Sequence, residues 1–212
     1  MSVPLVLYGD DRWESPYVFS SFVAVREKGV AFELRTMSLH SGEHRRGTYP
    51  ALSMTGRVPA LQHGDFWLSE SSAIDEYLEE MFPPPRWPRI YPESTPDRAR
   101  ARQVQAWLRT DLAAIRDERD VATVFGATTT APLSALARAE VERLVAVCDR
   151  LLPLGQGLLF NEFSVADADL ALMLQRLVRN GDALPPRLRE YADRVWRRGS
   201  VREWVNRPRP RT

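Results

Sequence analysis

"GRVPALQHGDFWLSESSAI" (Gly56–Ile74) is the stretch that decides how this chain folds. Pro59 opens a short strand-like run, Ala60 to Gln62, and a proline at the first position of a strand gives up a ladder hydrogen bond. His63-Gly64-Asp65 is a hairpin signal, and Phe66 to Leu68 forms the returning strand. Ser69 to Ser72 then crowd hydrogen-bonding groups where an amphipathic helix begins. That helix is predicted over Ser71–Phe82, with Ile74, Tyr77, Leu78 and Met81 on one side. From Pro59 to Ser71 there is just enough chain for two short strands and a hairpin, which returns Ser71 beside Pro59. A cis bond at Val58-Pro59 would turn the Val58 backbone outward, where it can pair with the backbone of a ligand.

Upstream, Pro4 to Tyr8 ("PLVLY") is a strand-length apolar run ended by "GDD". Pro16 to Lys28 reads as a helix: Ser15 is a suitable N-cap, Pro16 suits the first turn and Gly29 the C-terminal stop. Val18, Phe22 and Val25, flanked by Phe19 and Val23, make its apolar face. Phe32 to Leu39 reads as a second strand, and Ser41 to Thr55 as polar loop with a short helical turn. The order is β-α-β, a connection, then β-β-α. The first unit suits a parallel pair with a crossover helix, the second an antiparallel pair backed by a helix.

Downstream, "FPPPRWPRIYP" reads as a semi-rigid linker. It divides the chain into an α/β domain over residues 1–83, a linker over 84–95 and an all-helical domain over 96–212. Helices are expected at about Pro96–Arg119, Ser134–Leu152, Ser164–Arg179 and Pro186–Arg198, with a shorter one at Val201–Asn206. The ending "NRPRPRT" is expected to fray.

The 29 basic and 28 acidic residues leave a formal net charge of +1, which offers no electrostatic pull toward nucleic acid or anionic lipid. No apolar run approaches the roughly 18 residues that span a bilayer. "MSVPLVLYGDD" has no basic segment followed by an apolar core, so a cytoplasmic protein is expected. The single cysteine, Cys148, forms no intrachain disulfide and sits among helically spaced apolar residues, as a small core side chain does. A lone cysteine cannot build a thiolate zinc site, and no metal is expected of His40, His44 and His63.

A helix N-terminus exposes unpaired N–H groups and the positive end of the helix dipole, and so receives carboxylates. Ser71 can offer hydroxyl and amide to such a group, and Glu70 can accept from an ammonium; together they suit the zwitterionic end of an amino acid. The alternative is plain capping, with Ser72-x-x-Asp75 as a capping box. Ser15 likewise either caps its helix or donates its hydroxyl to a bound thiolate. Lowering a thiol pKa by about 2 requires roughly 2.7 kcal/mol of preferential thiolate stabilisation, within reach of a hydroxyl bond plus a helix dipole.

Together, "SPY" at Ser15, "RVPAL" at Arg57–Leu61, "LSESSAI" at Leu68–Ile74 and "FSVADADLAL" at Phe163–Leu172 resemble the cytosolic glutathione transferase family over nearly the whole chain. "SGEH", "PRIYP" and "RARARQVQAWLRTDL" are most similar to its bacterial YfcF-type members. The resemblance implies a thioredoxin-like N-terminal domain, an all-α C-terminal domain, glutathione as co-substrate and a homodimer. Glu70 and Ser71 would hold the γ-glutamyl end, Val58 would pair with the cysteinyl backbone beside cis-Pro59, and Arg57 and His44 would approach the glycyl carboxylate. Ser15 matches the thiol-activating hydroxyl. No Cys lies near Ser15, so a mixed-disulfide mechanism is not expected, and the lead-in "DDRWE" is bulkier than usual there. "FSVADADLAL" matches a buried capping box, Ser164 with Asp167, whose role is folding.

A pocket for the second substrate is expected between the domains, with Trp13, Tyr17 and Trp107 as candidates. The implied reaction is conjugation of glutathione to a small electrophile or reduction of a peroxide. Two alternatives are a glutathione-dependent isomerase, drawing on arginines such as Arg12, Arg109 and Arg116 for a dicarboxylate, and a non-enzymatic interaction module.

Overall fold

The computed structural model describes residues 4–209, which divide into two compact units, residues 4–90 with 203–209 and residues 91–202. In the first, strands β1 (Leu5–Asp10), β2 (Glu33–Met37), β3 (Ala60–His63) and β4 (Phe66–Ser69) form one sheet in the order β2-β1-β3-β4. β1 and β2 run parallel, joined by helix α1 (Pro16–Lys28), while β3 is antiparallel to both β1 and β4. The β1–β2 and β3–β4 pairings match the sequence reading; the β1–β3 pairing joins the two units of that reading into one sheet.

α1 has the bounds its caps predict. Ser15 Oγ accepts from the Val18 amide, and Gly29 ends the helix in the left-handed region at φ 64°. Every residue from Val18 to Val25 is buried, because helix α3 (Ser71–Met81) packs beside α1. Ser20 and Ser21 donate their hydroxyls to the Asp75 carboxylate of α3, each at 3.1 Å. Gly9 lets α1 approach β1 closely: a Cβ there would stand 2.7 Å from Val18 Cγ1. On α3, Ile74 and Leu78 are buried, but Met81, expected on the same face, is about half exposed. It lies in the final turn, past the stripe that Ile74 and Leu78 make.

Lys28 and Glu79, both buried, pair across α1 and α3. Lys28 also donates to the Phe82 carbonyl, and Glu79 accepts the Ile90 amide. A buried pair with such extra hydrogen bonds is costly to break, about 3–5 kcal/mol when one partner is removed. The polar connection after β2 contains a 3-10 turn, Glu43–Arg45, and a short helix α2, Tyr49–Leu52.

The second unit holds α4 (Thr95–Thr110), α5 (Ala113–Glu118), α6 (Val121–Phe125), α7 (Ala135–Leu151), α8 (Val165–Arg179) and α9 (Pro186–Trp196). α8 is its core, buried from Val165 to Leu177 apart from Asp169. The single helix expected over Pro96–Arg119 is broken. The Asp111 carboxylate accepts from Trp107 Nε1 at 3.0 Å and from the Leu112 amide at 2.8 Å, so a side chain takes an amide that would otherwise continue the helix. Leu112 adopts φ 60° and is fully buried. α6 was not expected; Asp120 caps it by accepting from the Thr123 amide.

The last helix, α10, spans Gly199–Val205. The sequence divides the chain so that residues 203–212 go with the helical domain; packing instead assigns residues 203–209 to the sheet-bearing unit. Trp204 is the reason. It is fully buried, with its ring 5.1 Å from Trp13, 5.3 Å from Phe22 and 6.1 Å from Phe19. The expected fraying is corrected for residues up to 209, where Arg207 and Arg209 are both bonded; the final three residues lie outside the described range.

Candidate active site

The sheet register gathers three segments. Tyr8 of β1 lies opposite Ala60 of β3, and Ala60 lies opposite Ser69 of β4. The chain after β1, the chain before β3 and the chain after β4 therefore meet at one end of the sheet. Those segments carry Ser15, Val58-Pro59 and Glu70-Ser71. Ser21 Oγ reaches the Ser71 carbonyl at 3.5 Å, so the first turns of α3 run alongside α1.

Ser15 is held by Asp10. The amides of Glu14 and Ser15 donate to the Asp10 carboxylate, at 2.8 Å and at 3.2–3.3 Å. Asp10 is only 4% exposed. Burial raises its carboxyl above the ordinary range, against the downward pull of those two amides. Ser15 Oγ accepts from the Val18 amide at 3.3 Å. A hydroxyl has two lone pairs and one hydrogen, so this cap leaves the O–H to be donated. Capping and thiolate binding, alternatives in the sequence, are compatible in the structure.

Trp13 stands at φ 58°, a left-handed conformation that costs a non-glycine residue about 1–3 kcal/mol unless its surroundings hold it. Its amide donates to the Asp10 carbonyl, at 3.4 Å. Its ring packs edge-on against Trp204 under the Arg207 guanidinium, 4.5 Å away, and its carbonyl accepts from Arg209 at 3.1 Å. Tyr17, in the first turn of α1, is 39% exposed.

The Val58–Pro59 bond is cis. Val58 lies ahead of the ladder, which starts at Ala60. The preceding carbonyl, of Arg57, accepts from Tyr49 Oη at 2.7 Å, tying "RVP" to α2. Burial raises the Tyr49 phenol above its ordinary value, so it stays protonated and able to donate. The Arg57 side chain is exposed. In the 3-10 turn, Arg45 Nε donates to His44 Nε2 at 3.1 Å. That assigns the ring proton of neutral His44 to Nδ1, which is buried and has no partner among the described residues.

α3 begins differently from the sequence alternative. Its N-cap is Glu70 at φ 71°, whose side chain makes no cap hydrogen bond, and Ser71 is the first helical residue, 3% exposed. The Ser72–Asp75 capping box is corrected: Asp75 is turned to Ser20 and Ser21, because those hydroxyls face it across the α1–α3 packing.

Trp107 lies in the second unit. With Arg100, Gln103, Val104, Val147, Arg150 and Leu151 it lines a cavity of about 530 Å³ between α4 and α7. Arg109 pairs with Asp169 at 3.0 Å, and Arg116 donates to the Arg109 carbonyl at 2.8 Å. Cys148 is fully buried, and burial pushes its thiol up to about 12. Ser164 and Asp167 form the capping box at the start of α8. Among the described residues no group of three or more His, Cys, Asp or Glu is placed to hold a metal ion, and no helix is long and apolar enough to cross a membrane.

A family model described as the glutathione S-transferase C-terminal domain matches residues 94–208, and one for the N-terminal domain matches residues 14–81. The chain belongs to the glutathione S-transferase family. A crystal structure of a Burkholderia glutathione transferase homologue with bound glutathione is 39% identical, with a TM-score of 0.80 over 95% of this chain and 96% of that one. Mouse glutathione S-transferase theta-3 is 35% identical over 92 residues, 43% of this chain. That match spans 37% of the mouse protein, so the chain covers little more than a third of this curated relative. Maize glutathione S-transferase 3 is 29% identical over 180 residues, 80% of this chain and 77% of the relative. The glutathione S-transferase architecture, a thioredoxin-like N-terminal domain and a helical C-terminal one, is thus the fold of this chain.

Sequence reasoning missed Asp10, Tyr49 and the C-terminal arm. For Asp10 a signal existed: an acceptor five residues ahead of a helix cap, read only as the end of a strand. Tyr49 and the arm had none, since each contact depends on how distant segments are brought together.

Proposed function

We propose that this chain binds glutathione at the shared end of β1, β3 and β4 and activates its thiol for attack on a small electrophile or reduction of a peroxide. The observation that carries the reading is the register that sets Tyr8, Ala60 and Ser69 side by side, so that Ser15, Val58 and Ser71 leave the sheet together. The Burkholderia homologue, similar along nearly its whole length, was crystallised with glutathione bound.

In this reading the Ser71 hydroxyl and amide take the γ-glutamyl carboxylate at the positive end of α3, and Glu70 takes its ammonium. Val58 pairs with the cysteinyl backbone beside Pro59. Arg57 and the Nδ1–H of His44 take the glycyl carboxylate, an anion that would give that buried donor a partner. The Ser15 hydroxyl donates to the sulfur. That bond and the N-terminus of α1 together favour thiolate over thiol. Trp13 and Tyr17, which flank Ser15 in the first unit, are the candidates for contacting the second substrate. The YfcF-type wording, a homodimer and a cytoplasmic location belong to the same proposal; sedimentation tests the dimer.

Retention on immobilised glutathione, with elution by the free tripeptide, is the expected result. A panel of electrophiles and hydroperoxides then separates conjugation from peroxide reduction. Failure to be retained, with no turnover across the panel, would leave the interaction-module reading in its place.

A further inference from the structure

The loop that delivers Ser15 is held from both ends of the chain. From below, Asp10 binds the amides of Glu14 and Ser15. From above comes the segment Glu203–Arg209. Glu203 pairs with Arg26 of α1 and with Arg207, and Trp204 is buried against Trp13, Phe19 and Phe22. The Arg207 guanidinium lies over the Trp13 ring. Arg209 donates to the carbonyls of Trp13, Trp204, Val205 and Arg207 at 2.8–3.3 Å. Burial lowers the Arg209 guanidinium below its ordinary value, against the opposing pull of the nearby Glu14 and Asp10 carboxylates.

Trp13 is the residue that needs this support. It takes a backbone conformation that non-glycine residues rarely adopt, and it stands two residues ahead of Ser15. Such a conformation persists only where the surroundings over-determine it. Here the carbonyl, the amide and the ring of Trp13 are each engaged, and two of the three engagements come from the C-terminal arm.

We infer that Glu203–Arg209 is a positioning strap for the Ser15 loop, and that Arg209, through the Trp13 carbonyl, is its decisive residue. Arg209 acts through Trp13 on the direction of the Ser15 hydroxyl. The inference rests on the reading of Ser15 as the thiol-activating group, and it deepens that reading by adding a residue 196 positions from Trp13 in the chain.

The test compares the full chain with its Arg209→Ala and Ser15→Ala variants by amide hydrogen exchange, glutathione affinity and the absorbance titration of bound thiolate. With Arg209→Ala, the Glu14 and Ser15 amides should exchange about tenfold faster while α8 amides are unchanged, as expected for loss of one or two hydrogen bonds on a local opening. The pH at which bound thiol ionises should rise by about 0.5 or more, with affinity at low pH within about twofold, because the γ-glutamyl end is held elsewhere.

Unchanged exchange at Glu14 and Ser15, or faster exchange throughout α8, overturns the strap. So does an unmoved titration in Arg209→Ala when Ser15→Ala moves it. If Ser15→Ala leaves the titration where it was, the activator reading fails, and with it the strap's role in thiol ionisation. The exchange rates at Glu14 and Ser15 then tell whether the arm still holds the turn.

Discussion

The N-termini of α3 and α8 carry the same residue types, serine and an acid, in opposite arrangements. At α8 the chain satisfies itself. The Asp167 carboxylate accepts from the amides of Leu159 and Ser164 at 2.8 and 2.9 Å, from the Ser164 hydroxyl and from Tyr191 Oη. Ser164 and Asp167 are both fully buried. At α3 the acid precedes the serine. Glu70 is exposed, in a left-handed conformation, and caps nothing with its side chain. The nearby acid that could have closed a box, Asp75, is drawn away by two serines of α1. A closed helix start buried in a core is a folding device. One whose N-cap side chain makes no cap bond, at the end of a sheet, is suited to a ligand.

The comparison breaks most sharply at Asp167. Asp167→Ala strands several buried donors at once and should cost about 3–4 kcal/mol in denaturant unfolding. Glutathione affinity of the remaining folded protein should not change, and a variant of wild-type stability would refute the folding role. Ser71→Ala is the converse. In the proposed reading it removes a charge-assisted bond to the γ-glutamyl carboxylate and should weaken glutathione binding roughly 10- to 100-fold, measured by calorimetry. Affinity equal to wild type would mean that the start of α3 is not the receptor.

Ser15→Ala should do a little of both. Losing the Val18 cap costs about 1 kcal/mol of stability, and losing the hydroxyl donor should raise the ionisation pH of bound thiol by about 1, with a smaller effect on affinity than Ser71→Ala. Identical titrations of thiolate absorbance in the two proteins would remove Ser15 as activator.

Cys148 should show the smallest effect. Burial pushes its thiol up to about 12 from an ordinary 9.0, which leaves almost no thiolate in the folded chain at pH 8, so no labelling by a thiol reagent is expected there without denaturant. Because the folded value is the raised one, its contribution to stability is complete below pH 9 and is lost as pH rises toward 12. Cys148→Ala should flatten that alkaline decline.

Much of this molecule is legible locally. The bounds of α1 follow from Ser15, Pro16 and Gly29; the hairpin follows from His63-Gly64-Asp65; the α8 box follows from Ser164 and Asp167 three residues apart. Each depends on neighbours in the chain, which is why residue type and spacing suffice. The break after Thr110 was not legible. Turning there puts Leu112 at φ 60°, which local preference disfavours, and the Asp111 hydrogen bonds with the burial of Leu112 offset that cost.

By itself, then, the sequence determined the order of elements, the caps that start and stop them, and the residue types gathered at one end of the sheet. Only the tertiary structure decided that Asp75 serves α1 rather than its own helix, that Asp10 carries the Ser15 amide, and that Trp204 and Arg209 return to hold Trp13. The physical reason is reach. A cap or a hairpin is set by bonds within a few residues, whereas a buried carboxylate or guanidinium is claimed by whichever donors or carbonyls the packed chain brings within about 3 Å of it.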